Sequence, residues 1–182
     1  NNEHYRKIQM FVIGTFYYSM DGPSWNVASS NRFTEWSTTF FDPNDACATR
    51  MKGAAPALPF VQCGIDYNIK VLALTNQSLS SQSAHVSIPL EIELLSTLER
   101  LHLRDISGAV DKSSFLEFIP MTLYRMKQLP TLQLLNVSLK SGTLPSEIGL
   151  MTDGLKNLLL HDLNLRGKIP SEIGPMTGLR SL

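Results

Sequence analysis

Two of the four histidines in the chain lie close to an aspartate, an arrangement that could support acid–base chemistry. His102 is followed by Asp105 three residues later, and His161 is followed directly by Asp162. A catalytic pair of this kind also needs a nucleophile within hydrogen-bond reach, usually inside a pocket. The sequence has no G-x-S-x-G turn, no His-x-x-x-His spacing and no glycine-rich phosphate loop followed by lysine. We therefore expect no catalytic residue, no metal ion and no cofactor, and the chain is not predicted to be an enzyme.

The same region also carries side chains that are suited to binding. Arg100, His102 and Arg104 alternate with leucines along one segment. An arginine guanidinium offers planar, paired donors to a carboxylate or a sulfate group. We predict a contact surface for a protein, peptide or glycan that is formed by Arg100, His102, Arg104, Gln133, Asn157 and His161. An ordinary solvated surface is the alternative that the sequence leaves open.

A repeated element must position these side chains. Residues 142–154 read GTLPSEIGLMTDG and residues 167–178 read GKIPSEIGPMTG, and each copy is followed by regularly spaced leucines. The period is 24 residues, from Leu158 to Leu182, which lies in the range of leucine-rich repeats. In an L-x-L segment the leucines point to one side of a strand and the residues between them point to the other. The pattern predicts stacked turns with one inward row formed by Leu72, Leu101, Leu132, Leu158 and Leu182.

The same register predicts which outward residues become neighbours on adjacent strands. The first column, just before the first leucine, contains Val71, Arg100, Thr131, Asn157 and Ser181. The second column, between the two leucines, contains Ala73, His102, Gln133 and Leu159. The third column contains Thr75, Arg104, Leu135 and His161, and the fourth contains Asn76, Asp105, Asn136 and Asp162.

A helix is predicted before the repeats begin. Residues 4–20 carry apolar side chains at helical spacing, and Gly22-Pro23 ends the pattern. The end of a stack of repeats needs a cap, because its first turn has no preceding neighbour. We expect the apolar side of this helix to cover the first repeat, which begins at Ile69.

The repeat pattern resembles the extracellular, plant-type leucine-rich repeat, whose unit reads LxxLxLxxNxLxGxIPxxIGxLxx. The N-terminal part, with FYYSMDGPSW at residues 16–25, Trp36, Cys47 and FVQC ending at Cys63, resembles the cap of such proteins, especially those of stramenopiles. This resemblance implies an α/β fold, a right-handed solenoid with an N-terminal helical, disulfide-linked cap. Its sheet would lie on the concave side, and Pro-containing, 3₁₀-like turns would lie on the convex side. Residues 1–68 would form the cap, and residues 69–182 would form four repeats and the start of a fifth.

The chain contains two cysteines, Cys47 and Cys63, just before the repeats. Their even number and their place favour a disulfide bond in the cap, and two reduced, buried thiols are the alternative. Residues 48–59, between them, are rich in Ala and Pro and are expected to form a surface loop.

Two N-x-S sequons begin at Asn76 and Asn136, which are N-glycosylation acceptors if the chain is secreted. A structural role is the alternative. In the plant-type repeat, a row of asparagines called the asparagine ladder caps backbone groups of the adjacent turn, and both residues lie one position before that row. Asp105 and Asp162 share their column, and a column of charges would be costly to bury. We therefore expect this column to be exposed.

Charge and hydropathy restrict the partners. Sixteen basic and sixteen acidic residues leave no net charge to attract nucleic acid, and no apolar run reaches the length of a membrane span. The chain begins at Asn1 without a signal peptide and stops within a repeat at Leu182. We expect it to be a fragment of a longer chain, with further repeats missing.

The sequence and the resemblance together favour a non-enzymatic recognition module, either a cell-surface, receptor-like protein or a cell-wall or adhesion protein. The resemblance also suggests an extracellular location and a membrane anchor outside this segment. The alternative is a structural accessory subunit docked permanently in a larger assembly. Enzymatic activity would require a catalytic domain after Leu182.

Overall fold

The computed structural model describes residues 2–22, 61–79, 86–108, 119–137 and 142–182. In these residues an N-terminal helix, α1 (Asn2–Ser19), precedes a five-stranded sheet. The strands are β1 (Val61–Cys63), β2 (Ile69–Leu79), β3 (Arg100–Gly108), β4 (Thr131–Val137) and β5 (Asn157–His161). They lie in chain order across the sheet; β1 pairs antiparallel with β2, and the remaining pairs are parallel.

The predicted inward row of leucines is confirmed over four strands. Leu72 pairs in register with Leu101, Leu101 with Leu132, and Leu132 with Leu158. All four side chains are buried in one continuous hydrophobic core. Leu182, the fifth member of the predicted row, is 67% exposed, and the segment before it contributes one bridge, between Asn157 and Ser181. A leucine of this row is therefore buried only where a neighbouring turn covers it.

A proline-capped turn follows on the other side of each repeat, as the sequence predicts. Three of these turns are 3₁₀ helices, Leu90–Leu94, Ser146–Met151 and Ser171–Ile173, and the second in chain order is a four-residue α-helix, α2 (Met121–Tyr124). The N-cap residue of each turn is a proline with an extended backbone, and its missing N–H costs nothing because the first N–H groups of a helix have no partner within the helix. These residues are Pro89, Pro120, Pro145 and Pro170.

Helix α1 covers the first repeat, which confirms its predicted role. The side that faces the core is formed by Met10, Val12, Ile13, Phe16 and Tyr17. Polar contacts fix its position: the backbone N–H of Ile69 donates to Gln9 Oε1 at 2.6 Å, and the N–H of Thr97 donates to Tyr5 Oη at 3.2 Å. The helix begins at Asn2 and ends at Ser19, where Asp21 takes a positive φ of 56° that breaks the helical backbone.

Several predicted features of the cap lie outside the described residues. These are Trp25, Trp36, Cys47 and the loop at 48–59. Cys63 lies at the end of β1, packs against the core and is not a free thiol. Because Cys47 is not described, its pairing with Cys63 stays a prediction.

Candidate binding face of the sheet

The outward residues of β2 to β5 form what we call the strand face, the three columns that begin at Val71, Ala73 and Thr75. Their predicted register is confirmed: Arg100 pairs with Thr131, His102 with Gln133, and Arg104 with Leu135. Because strand residues alternate in direction, burial of the leucines turns the residues between them to the opposite side. All six predicted contact residues therefore lie on one surface. Their role in binding stays a prediction.

The strand face changes in character from one strand to the next. On β3, Arg100 and Arg104 are exposed, and His102 is half-buried between them. On β4 and β5 the outward side chains are less polar, because they include Leu135 and Leu159, both of which are half-buried. The surface thus combines cations with accessible apolar area.

Arg104 is already engaged by neighbouring side chains. Its Nε donates to Asp105 Oδ2 at 3.0 Å, and Asp105 Oδ1 accepts from Asn136 Nδ2 at 2.8 Å on the next strand. The hydrogen bond from Asn136 is the largest cause that holds the pKa of Asp105 below its usual range, and the Arg104 charge lowers it further. The carboxylate is therefore charged, and it neutralises Arg104.

His161 is engaged in a similar way. Its Nδ1 lies 3.0 Å from Asp162 Oδ2, and both side chains are mostly exposed. Water competes for both groups of such an exposed pair, so it contributes little to stability. The pair lies on the surface at the end of β5.

His102 contributes a neutral ring to the strand face. Burial is the main cause that lowers its pKa, and the charges of Arg104 and Arg100 lower it further, against a smaller opposing effect of Asp105. Its Nε2 is buried without a hydrogen-bond partner. At neutral pH the cations of β3 are therefore the two arginines.

Arg100 differs from Arg104, because within the described ranges no carboxylate lies within ion-pair distance of it. Two more exposed cations, Lys156 and Arg180, lie at the same N-terminal end of the strands, and no carboxylate of the described residues is within ion-pair distance of either. Between Arg100 and these cations, Asn157 Nδ2 donates to Thr131 Oγ1 at 3.3 Å. Lys156 and Arg180 are not among the predicted contact residues, although each directly precedes a first-column residue.

The fourth column has a backbone role that the sequence analysis also missed. Asn76, Asp105, Asn136 and Asp162 have φ angles of 55°, 52°, 52° and 52°. Asparagine and aspartate are the side-chain-bearing residues that most readily adopt this left-handed conformation. The presence of Asn or Asp in all four repeats was the available signal. The expected exposure of Asn76 and Asn136 is confirmed. The residues that directly follow the last three members of this column in the chain, Ile106, Val137 and Leu163, are buried.

Among the described residues, no group of three or more His, Cys, Asp or Glu side chains could hold a metal ion. Across the same ranges, none of the helices has the length and apolar character needed to cross a bilayer.

Comparisons with known proteins give two similar solved structures. No family model and no curated protein matches the chain. The crystal structure of the LRR ectodomain of the receptor kinase SOBIR1 from Arabidopsis thaliana is 22% identical over 63% of this chain and 67% of that chain, with a TM-score of 0.42. A chain in the crystal structure of the BIR3–SERK2 complex from Arabidopsis thaliana is 26% identical over 88% of this chain and 87% of that chain, with a TM-score of 0.47. These are plant proteins, and they give no support to the expected affinity with stramenopile proteins.

Proposed function

We propose that this chain is a non-enzymatic recognition module that binds a protein, peptide or glycan on the strand face. The observation that supports this role is the register of the sheet. Leucines at equivalent positions fill the inner side, so equivalent outward positions form straight columns across four parallel strands. A rigid scaffold of this kind holds many contact side chains in fixed relative positions, which lowers the entropy lost on binding.

The composition of the strand face is typical of a protein interface. Such interfaces combine arginine and apolar side chains at their centre with polar groups at their rim. Here the arginines of β3 lie on the same face as the half-buried side chains of Leu135 and Leu159. The surrounding neutral groups, Gln133 and Asn157, can donate and accept hydrogen bonds.

We further propose that the chain is extracellular or displayed at a cell surface, with any membrane anchor outside this segment. The exposure of Asn76 and Asn136 supports this location, because both asparagines are accessible to a glycan. In this proposal residues 1–68 form a cap closed by a Cys47–Cys63 disulfide, and residues 69–182 form the repeats. Intact mass before and after deglycosylation and reduction tests both modifications on secreted material.

The strand face can be tested with the same substitution on two sides of the molecule. Leu159→Glu places a charge on the strand face, whereas Leu90→Glu places one on an exposed turn position. Each variant and the wild type are immobilised, and proteins retained from the medium of the source cells are identified by mass spectrometry. We expect a protein that the wild type and Leu90→Glu retain and that Leu159→Glu loses. Equal retention by all three, or loss with Leu90→Glu alone, would contradict the proposal.

A structural accessory subunit is the second candidate, and one observation favours it. Each of three consecutive turns carries an exposed apolar side chain: Leu90 at 55%, Met121 at 43% and Leu150 at 49%. A continuous patch of exposed apolar side chains is typical of a surface that binds a partner, and the second candidate requires these three side chains to form one. Light scattering after size-exclusion chromatography separates the two candidates, because a soluble monomer favours the recognition module and aggregation without a partner favours the subunit.

A further inference from the structure

We infer that the partner presents an acidic, partly apolar segment of protein chain, and that its carboxylates contact the N-terminal end of the strand face around Arg100. This inference rests on the proposed function and specifies the chemistry of its ligand.

The basic residues of the strand face are not equivalent, because two of them already contact a carboxylate of the chain itself. Arg104 is held by Asp105 and His161 by Asp162, each at 3.0 Å. An incoming carboxylate would have to displace a carboxylate of the chain itself at either position. Neither pair therefore offers much attraction to an acidic partner.

The N-terminal end of the strands offers cations without this competition. Arg100, Lys156 and Arg180 are exposed, and none of them has an ion pair with another described residue. Two acids, Glu99 and Asp66, lie 3.3 Å and 3.7 Å from Lys70, so one of their two negative charges is left over against the three cations. An excess of positive charge thus remains at this end, although the whole chain has no net charge.

The spacing of these groups suits an extended segment that crosses the strands. Arg100, Thr131 and Asn157 occupy equivalent positions on three adjacent strands, and Asn157 forms a bridge with Ser181. Neighbouring strands lie about 4.8 Å apart, so the backbones at Arg100 and Asn157 are separated by about 9.6 Å. The first column contains no acidic residue, and Asn157 and Ser181 supply an amide and a hydroxyl group near the cations, whereas Thr131 is buried and accepts a hydrogen bond from Asn157.

The apolar side chains on the same face favour a protein over a sulfated glycan. Leu135 and Leu159 are half-buried on the neighbouring columns of β4 and β5. A segment in which acidic and apolar residues alternate could satisfy the cations and also cover these leucines. A highly charged polysaccharide would leave their apolar area uncovered, or it would have to remove its own charged groups from water to cover that area.

The probe is a fluorescein-labelled peptide in which Glu and Leu alternate, and its control has Gln in place of Glu. Fluorescence anisotropy measures the affinity of each peptide for the full chain at several salt concentrations. We expect tighter binding of the Glu peptide, with an affinity that falls as salt screens the charges. Equal binding of the two peptides, or tighter binding of a sulfated oligosaccharide than of the Glu peptide, would overturn the inference.

Two substitutions locate the contact. Arg100→Gln removes a charge-assisted hydrogen bond and should weaken binding of the Glu peptide by about tenfold. Arg125→Gln, the same change at an exposed position after α2, should leave it unchanged. Circular dichroism confirms that each variant is folded.

The outcomes also separate this inference from the proposed function. If Arg100→Gln binds like the wild type, the acidic contact at this end is wrong. The proposed function then still stands where Leu159→Glu loses a protein that the wild type retains. If all the immobilised variants retain the same proteins, both proposals fail.

Discussion

Gln9 is the polar residue by which the N-terminal helix is attached to the sheet. Its side chain is fully buried, and its Oε1 accepts the backbone N–H of Ile69 at 2.6 Å. Its Nε2 donates to the carbonyl oxygen of Tyr67 at 3.5 Å, close to the limit for a hydrogen bond. Gln9→Met keeps the length and flexibility of the side chain but removes both polar groups.

The expected loss can be worked out group by group. The hydrogen bond to the Tyr67 carbonyl is part-buried and long, at 3.5 Å, so its loss costs little. Ile69 is fully buried, so its N–H is left without an acceptor, and an unsatisfied buried donor costs about 1–3 kcal/mol. We expect Gln9→Met to lower the free energy of unfolding by about 2 kcal/mol, and the melting temperature by about 4–8 °C.

Chemical denaturation measures the change in stability, and hydrogen exchange locates it. The amide of Ile69 should exchange faster in Gln9→Met, whereas the amides of β5 should be little affected, because stability in a stack is transmitted mainly between neighbours. Lys7→Met is the matched control, since Lys7 lies on the same helix and forms an exposed pair with Glu3 at 2.8 Å. A Gln9→Met variant that is as stable as Lys7→Met would refute this account of the cap.

Three further predictions concern the repeats and the strand face. A Cβ at Gly154 would overlap the carbonyl oxygen of Lys127 in the preceding turn, so Gly154→Ala should lower the free energy of unfolding by about 3 kcal/mol in chemical denaturation. Gly178→Ala is the control at the equivalent position, where nearby atoms are at ordinary contact distance, and it should cost little. The hydroxyl of Tyr124 is buried without a hydrogen-bond partner, and burial raises its pKa. Tyr124→Phe removes this hydroxyl, so the variant should be as stable as the wild type or more stable by about 1 kcal/mol. A clear loss of stability would reveal an undetected hydrogen bond. The pKa of His102, measured by NMR, should lie below its usual value of 6.5, because burial lowers it. The unfolded chain then takes up this proton at a higher pH than the folded chain, so stability should fall as the pH drops below about 6.5. His102→Gln should reduce this decline.

The fold was predictable because it depends on strong and repeated constraints. Each repeat must bury two leucines against its neighbour, and a shift of one residue would turn Leu101 and Leu132 to the solvent. The register therefore follows from the sequence. The helix was predictable for the same reason, because its apolar residues recur at helical spacing up to Phe16.

The details of the candidate site depend on weaker effects. Whether Arg104 pairs with Asp105 or remains free is decided by the side-chain conformations of exposed residues, and such pairs differ by less than about 1 kcal/mol. The sequence therefore treats Arg100 and Arg104 alike, although the structure distinguishes them. The role of Gln9 was hidden because it depends on a single backbone N–H, 60 residues away in the chain.

Methyl NMR on leucine-labelled protein tests most directly whether the leucines stack in register. The account predicts an unbroken series of nuclear Overhauser contacts from Leu72 to Leu101, Leu132 and Leu158, because equivalent residues on adjacent strands are separated by about 4.8 Å. Missing contacts between these methyl groups, or contacts shifted to a different register, would contradict it and would remove the basis for a strand face.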